Sequence, residues 1–194
     1  MEIDARNRCV FTKTGDCITF DILVLATGSD ALLPRHTPGH DAQGVFVYRT
    51  IEDLEKMIEY SQTVKVGHGV EKRAAVVGGG LLGLEAAHAV QGLEQFPNVA
   101  LIERNRWVLS RQLDGEAGGM VVEKVRGMGV DVMLSKRVGK INVDPETGKM
   151  TQVVFEDGQV MDCQVLCFAI GIRARDNLAR AAGIKGHHRG GNRY

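Results

Sequence analysis

Apolar and polar positions recur with two different periods along this chain, and the change of period marks its elements. Ala74-Ala75-Val76-Val77 and Val99-Ala100-Leu101-Ile102 are short unbroken apolar runs, as expected of parallel strands covered on both faces. Between them Leu82, Ala86, Ala89, Val90 and Leu93 follow helical spacing to about Phe96, and Pro97-Asn98 turns the chain. This predicts strand, helix and strand over residues 74–103, the size of a βαβ unit. A helix is expected to open at Thr50, whose hydroxyl can cap it with Asp53 completing a capping box, and Ile51, Leu54 and Ile58 form its apolar face. Another runs from Asp114 to Gly127 with Ala117, Met120, Val121, Val125 and Met128 on one side, and a strand from Val130 to Leu134 follows.

Two meanders flank these elements. In the first, strands over Arg8–Thr12 and Cys17–Phe20 surround a turn, and Ile22-Leu23-Val24-Leu25-Ala26 reads as a strand buried on both faces. In the second, strands over Val138–Val143, Met150–Phe155 and Val165–Ile170 end at Gly171. Ala26-Thr27-Gly28 and Ala169-Ile170-Gly171 echo each other, each an apolar strand ending in Ala-x-Gly. Residues 29–49 read as loop because Pro34, Pro38 and Gly39 break regular structure, and residues 186–194 read as a frayed tail.

The candidate chemistry lies in Gly78-Gly79-Gly80-Leu81-Leu82-Gly83, directly after a strand and opening a helix. Gly78 permits a tight turn, Gly80 lets a diphosphate approach the backbone, and Gly83 lets the helix lie close to the strand. The helix N-terminus offers unpaired amides and partial positive charge. Glu103 closes the next strand, 20 residues after Gly83. There a carboxylate accepts from adenosine ribose hydroxyls and repels a 2′-phosphate, which favours NADH over NADPH. Arg104 and Arg106 could reach a 2′-phosphate, so dual use stays open. Glu85 either complements the helix dipole or contacts the nicotinamide end. His88 and Trp107 read as packing or surface residues, and His187 and His188 carry no assigned role.

Composition narrows the partners. Lys plus Arg and Asp plus Glu are 24 each, so no cationic excess favours a nucleic acid. No apolar run is long enough for a membrane span, and the polar Met1–Arg6 start lacks a secretory core, which makes the cytoplasm the expected compartment. Cys9, Cys17, Cys163 and Cys167 form no CxxC pair, so they are expected to be buried reduced thiols, with no metal site.

Three stretches carry a family resemblance: Ala26-Thr27-Gly28-Ser29, the segment Gly78–Ala87, and Phe168-Ala169-Ile170-Gly171-Ile172-Arg173. In this order they resemble the two-dinucleotide flavoproteins of the pyridine nucleotide-disulfide oxidoreductase superfamily. Val47–Leu54 and Ile102–Asp114 are similar, more narrowly, to the NAD(P)H-accepting part of fungal-type assimilatory nitrite reductases. The resemblance covers residues 8–184. It implies an α/β, Rossmann-like three-layer FAD/NAD(P)-binding fold, and NAD(P)H-dependent electron transfer through FAD toward reduction of nitrite to ammonium. Cofactor contacts are implied at Gly78, Gly79, Gly80, Leu81, Leu82, Gly83, Glu85, Glu103, Arg104 and Gly171, and at Ala26, Thr27 and Gly28. No catalytic residue is assigned.

The family's first GxGxxG, its Gly-Asp flavin motif, its reactive cysteine pair and its cluster and sirohaem cysteines have no counterpart here. The chain therefore reads as a fragment: residues 49–164 an intact NAD(P) domain, residues 1–48 and 165–194 partial FAD-binding segments. Sirohaem and the iron–sulfur cluster are expected only outside it. Partners are a dinucleotide, the rest of the flavin domain, downstream redox domains and, as one option, a second copy in a homodimer. The alternatives are a ferredoxin- or rubredoxin-type NADH reductase and a non-catalytic dinucleotide-binding module.

Overall fold

The computed structural model describes residues 1–185, so the tail expected over 186–194, with His187 and His188, lies outside the described residues. In chain order the first elements are β1 (Glu2–Asp4), β2 (Cys9–Phe11), β3 (Cys17–Thr19), β4 (Ser29–Ala31), β5 (Val45–Val47), α1 (Ile51–Thr63) and β6 (Arg73–Val77). Then come α2 (Leu81–Gln91), β7 (Asn98–Ile102), α3 (Gly115–Gly127), β8 (Val130–Met133), β9 (Val138–Val143) and β10 (Met150–Phe155). The last are β11 (Val160–Asp162), β12 (Val165–Phe168), β13 (Ile172–Ala174) and α4 (Asn177–Ala181). The chain divides into two compact units, Ala31–Gly171 and a second made of Met1–Asp30 with the segment from Ile172 onward. The domain edges expected at 48/49 and 164/165 fall inside the larger unit, because β5 and β12 belong to its central sheet.

That sheet is parallel throughout, in the order β5-β12-β6-β7-β8. Its strands are apolar on both faces, and period-two alternation sorts their side chains between two cores. Ala74, Val76, Val99, Leu101, Val165 and Cys167 pack with Met57 of α1, Ala86 and Val90 of α2, and Val122 of α3. Ala75, Ala100, Ile102, Leu166 and Phe168 pack instead with Ile141, Met150, Val153 and Phe155 of the antiparallel sheet β11-β10-β9. The result is three layers: helices, parallel sheet, antiparallel sheet. The crossovers through α1, α2 and α3 all advance in one direction across the sheet. Crossovers of one hand then lie on one face.

The caps follow the local sequence. Thr50 Oγ1 accepts from Asp53 N at 3.2 Å and Asp53 Oδ2 accepts from Thr50 N at 3.0 Å, so both halves of the expected capping box form. Asp114 caps α3 through Ala117 N at 2.9 Å. The apolar faces differ from the expectation. On α1 the buried residues are Met57 and Ser61, while Ile51 is 76% exposed. On α3 Gly118 and Val122 are buried, while Met120 and Met128 are exposed. Small residues face inward on α3 because Trp107 occupies the space beside Gly115 and Gly118. The α2 helix stops at Gly92, short of Phe96. The expected loop over 29–49 contains β4 and β5, and Val45-Phe46-Val47 of β5 pairs with β12.

In the smaller unit β1, β2 and β3 form an antiparallel sheet, and β13 pairs with β4. Arg175 donates to Asp30 Oδ1 at 2.6 Å. Ile22–Ala26 is not a strand, and Ile22 and Val24 are 86% and 79% exposed. A strand needs a neighbour for its backbone N–H and C=O groups; among the described strands none pairs with 22–26. The cysteine expectation is also corrected in part. Cys9 and Cys17 are disulfide-bonded, with Cα atoms 5.8 Å apart, because the pairing Val10↔Ile18 sets them diagonally across β2 and β3. Cys163 and Cys167 are buried free thiols.

Candidate functional site

The β6 strand delivers the chain to Gly78 at the C-terminal edge of the parallel sheet. There β12 lies on one side and β7 on the other. Gly78 has φ +117, and its N–H donates to Ile102 O at 2.8 Å. A Cβ on it would stand 2.6 Å from Ala169 O. Only glycine satisfies both conditions. A Cβ on Gly83 would overlap the Gly78 carbonyl oxygen, so the third glycine lets α2 start against the turn.

Gly80 is different in kind. It is the N-cap of α2 with an ordinary φ of −83, no side chain caps the helix there, and a Cβ on it would meet nothing within 4 Å. Nothing in the protein requires this glycine; it leaves open space in front of the first-turn amides of Leu81, Leu82 and Gly83. Leu81 is exposed and Leu82 half-buried, so neither seals the approach. Open space, uncapped amides and the positive end of the helix dipole fit a diphosphate.

Glu103 follows β7 and is 7% exposed. Its Oε2 accepts from Gly79 N at 2.5 Å and its Oε1 from Asn105 N at 2.7 Å. Leu109 N donates to Gly79 O at 2.7 Å, so both backbone groups of Gly79 are tied to the segment 103–109. A Cβ on Gly79 would crowd Glu103 Oε2 and Val108 Cγ1 at 2.9 and 3.0 Å. Ser135 N donates to Asn105 O and Lys136 N to Glu103 O, which pins the same segment to the exit of β8. The carboxylate therefore braces the glycine turn. Each oxygen still has capacity for one more donor, such as a ribose hydroxyl. Arg104 and Arg106 are exposed beside it. The Trp107 ring packs against Gly115 and Gly118 of α3, its Nε1 donating to Leu113 O at 3.1 Å.

On the other side of β6, Glu85 projects from α2 and is exposed, with Tyr48 Oη 3.5 Å from its Oε1. The Tyr48 phenol is held above its ordinary pKa, first by burial and then by the Glu85 charge. The composition and helical periodicity of the sequence did not single out Tyr48. Its signal is its place, directly after the apolar triplet Val45-Phe46-Val47. Gly171, at φ +122, accepts from Leu32 N at 2.9 Å. The larger unit thus brings together Gly78–Gly83, Glu85, Glu103, Arg104 and Gly171. Ala26, Thr27 and Gly28 belong to the smaller unit, where Thr27 Oγ1 donates to Arg175 O at 2.6 Å and Gly28 O accepts from Arg175 N at 3.0 Å.

Other candidate chemistry falls away. Burial pushes the Cys163 and Cys167 thiols up to about 12, so neither offers a thiolate near neutral pH. Among the described residues no cluster of His, Cys, Asp and Glu could hold a metal ion, and no helix is long and apolar enough to cross a membrane. A cleft of about 290 Å³ lies between α1 and the end of α2, lined by Leu54, Met57 and Leu93. It sits at the negative end of the α2 dipole, which does not suit an anion.

The pyridine nucleotide-disulphide oxidoreductase family model matches residues 1–193. The nitrite reductase [NAD(P)H] of Emericella nidulans is 54% identical over 190 residues, which is 98% of this chain and 17% of that protein. The nitrite reductase [NAD(P)H] large subunit of Klebsiella oxytoca is 39% identical over 97% of this chain and 18% of its own length. Among solved structures, an NAD-dependent persulfide reductase from A. fulgidus superposes with a TM-score of 0.80 at 32% identity, covering 97% of this chain and 33% of that one. A ferredoxin reductase from Rhodopseudomonas palustris gives the same TM-score at 24% identity, covering 96% and 43%, a likeness of fold.

Proposed function

This chain belongs to the pyridine nucleotide-disulphide oxidoreductase family, and on that premise we propose that its larger unit is the NAD(P)H-receiving part of a flavin-dependent nitrite reductase. The chain spans only 15% to 21% of the length of the curated nitrite reductases compared with it. Nitrite reduction, FAD, the iron–sulfur cluster and sirohaem are therefore proposed for a longer protein, in a cytoplasmic setting. The remainder of a flavin domain is the proposed partner, and Ala26, Thr27, Gly28 and Gly171 are the residues proposed to serve it.

In this reading the diphosphate sits on the α2 N-terminus above Gly80. The adenosine ribose hydroxyls donate to Glu103, which also keeps Gly79 in place. The other nucleotide half extends past β12 toward Glu85. The nicotinamide, when bound, supplies a hydride; the chain's own residues bind and orient it. The negative charge of Glu103 favours NADH over NADPH, with Arg104 and Arg106 as the groups able to offset that preference. The observation that carries the reading is the uncapped, sterically open Gly80 N-terminus beside the buried Glu103. Calorimetric titration of the chain with NADH and with ADP-ribose tests it. Saturable binding of both at one site is expected, and no binding of either would refute it.

A further inference from the structure

Cys9 and Cys17 form a disulfide that the proposed function does not use, and its two ends sit in different surroundings. Cys9 belongs to β2, the middle strand of the sheet β1-β2-β3, where it pairs with Asp4 on one side and Thr19 on the other and is 3% exposed. Cys17 opens β3, an edge strand whose three residues are all exposed. A thiolate that attacks a disulfide must reach one of its sulfurs, so access selects the sulfur attacked. Here access selects Cys17.

The bond also closes little. The two cysteines are 8 apart in sequence, and backbone hydrogen bonds already hold the turn between them. Thr12 N donates to Asp16 O at 2.9 Å and Gly15 N to Thr12 O at 3.2 Å, while Phe20 N donates to Arg8 O at 3.0 Å at the open end of the hairpin. A cross-link over a short loop restricts the unfolded chain less than one over a long loop. The hairpin therefore keeps its pairing when the bond opens, the two thiols stay within reach of each other, and closing again is intramolecular. Cys163 and Cys167 lack these properties: both are buried free thiols, pushed up by burial to about 12.

We propose that the Cys9–Cys17 pair is a thiol–disulfide exchange site for a small-molecule thiol of the glutathione class, with Cys17 as the sulfur of entry and Cys9 as the resolving thiol. The incoming thiolate bonds to Cys17 Sγ as the Cys17–Cys9 bond breaks. The electron pair leaves on Cys9 Sγ, which takes a proton from water, and burial favours that neutral thiol. A second small thiol attacking the mixed disulfide releases the small-molecule disulfide and leaves the Cys9/Cys17 dithiol. In that direction two small thiols are oxidised to one disulfide while one protein disulfide is reduced to two thiols. Cys9 attacking the mixed disulfide instead restores the original bond and releases the small thiol. The exchange stands apart from the dinucleotide site and does not rest on it.

Acid-quenched mass spectrometry and peptide mapping of the full chain, with glutathione as the probe, test the proposal. Excess reduced glutathione should open the wild-type bond, and the quenched intermediates should carry glutathione on Cys17, with Cys163 and Cys167 unmodified. Oxidised glutathione added to the reduced chain should restore the Cys9–Cys17 bond. Cys9→Ser removes the resolving thiol and should accumulate glutathione on Cys17 at least about a hundredfold faster than Cys17→Ser accumulates it on Cys9. In denaturant, where burial is lost, the two rates should converge. A folded Cys17→Ser as reactive as Cys9→Ser overturns the assignment, as does a wild-type bond that excess glutathione leaves closed, or a reduced chain in which oxidised glutathione does not pair residues 9 and 17. If a variant fails to fold, the wild-type quench decides alone: glutathione on Cys9 in place of Cys17 overturns the proposal.

Discussion

Glu103→Gln is the most informative single change, because the carboxylate is both brace and proposed ribose acceptor. Its two oxygens accept backbone N–H groups from Gly79 at 2.5 Å and Asn105 at 2.7 Å in a site 7% exposed. Glutamine has the same shape but only one acceptor oxygen, so its NH₂ must face one of these N–H donors. A buried donor left without an acceptor costs about 1–3 kcal/mol, and the surviving bond loses its charge assistance, about 1 kcal/mol more. The sum is about 2–4 kcal/mol, and for a chain of this length each kcal/mol lowers Tm by about 2–4 °C. Binding should change in a second way. Removing the negative charge weakens acceptance from the ribose hydroxyls and relieves repulsion of a 2′-phosphate. The NADH-to-NADPH affinity ratio should fall at least about tenfold, equivalent to about 1.4 kcal/mol. Trp107 is the single tryptophan, so energy transfer from it to the reduced nicotinamide reports binding of either cofactor, and thermal melts report the brace. Wild-type melting together with an unchanged ratio would refute both roles.

Three further outcomes are expected. Gly80→Ala should melt like the wild type, since a Cβ there meets nothing within 4 Å, yet lose dinucleotide binding. Gly83→Ala, whose Cβ would overlap Gly78 O, should lose stability as well, and identical melts for the two variants would contradict this division. Gly118→Ala should cost about 1–3 kcal/mol through overpacking against Trp107 and shift its emission; denaturant titration followed by fluorescence checks it. Raising the pH should destabilise the fold. Cys163 and Cys167 have thiol pKa values raised to about 12 in the folded state against an ordinary 9.0. The unfolded chain therefore releases these protons first, and stability is present below about pH 9 and lost as pH rises toward 12. Melts of Cys163→Ala/Cys167→Ala with the same alkaline slope as the wild type would argue against the thiols as its source.

Local chemistry made much of this protein legible. Gly78, Gly80 and Gly83 between two apolar runs, Thr50 three residues before Asp53, and Asp114 ahead of a helix state their roles through spacing alone. The two caps and the contact of Gly83 with Gly78 O depend on groups within a turn or two of chain. The βαβ unit over residues 74–103 followed from two unbroken apolar runs joined by a helical period. Contacts between distant segments were a different matter. The apolar run Ile22–Ala26 was not enough to make a strand, because a strand exists only where another segment takes up its hydrogen bonds, and none of the described strands does so. Val45–Val47 lies in a stretch that reads as loop after Pro34, Pro38 and Gly39, yet β12 recruits it into the central sheet. Composition could not show that Cys9 and Cys17 would meet, since the hairpin register decides which side chains lie diagonally opposed. Nor could spacing show that Glu103 would brace Gly79, 24 residues away, or that Tyr48 would reach Glu85, 37 away. Periodicity marked the two central apolar strands and the inner face of α2 but missed the buried residues of α1 and α3; only tertiary packing decided which buried and polar groups face one another, because that depends on strand order and register, which no local window contains.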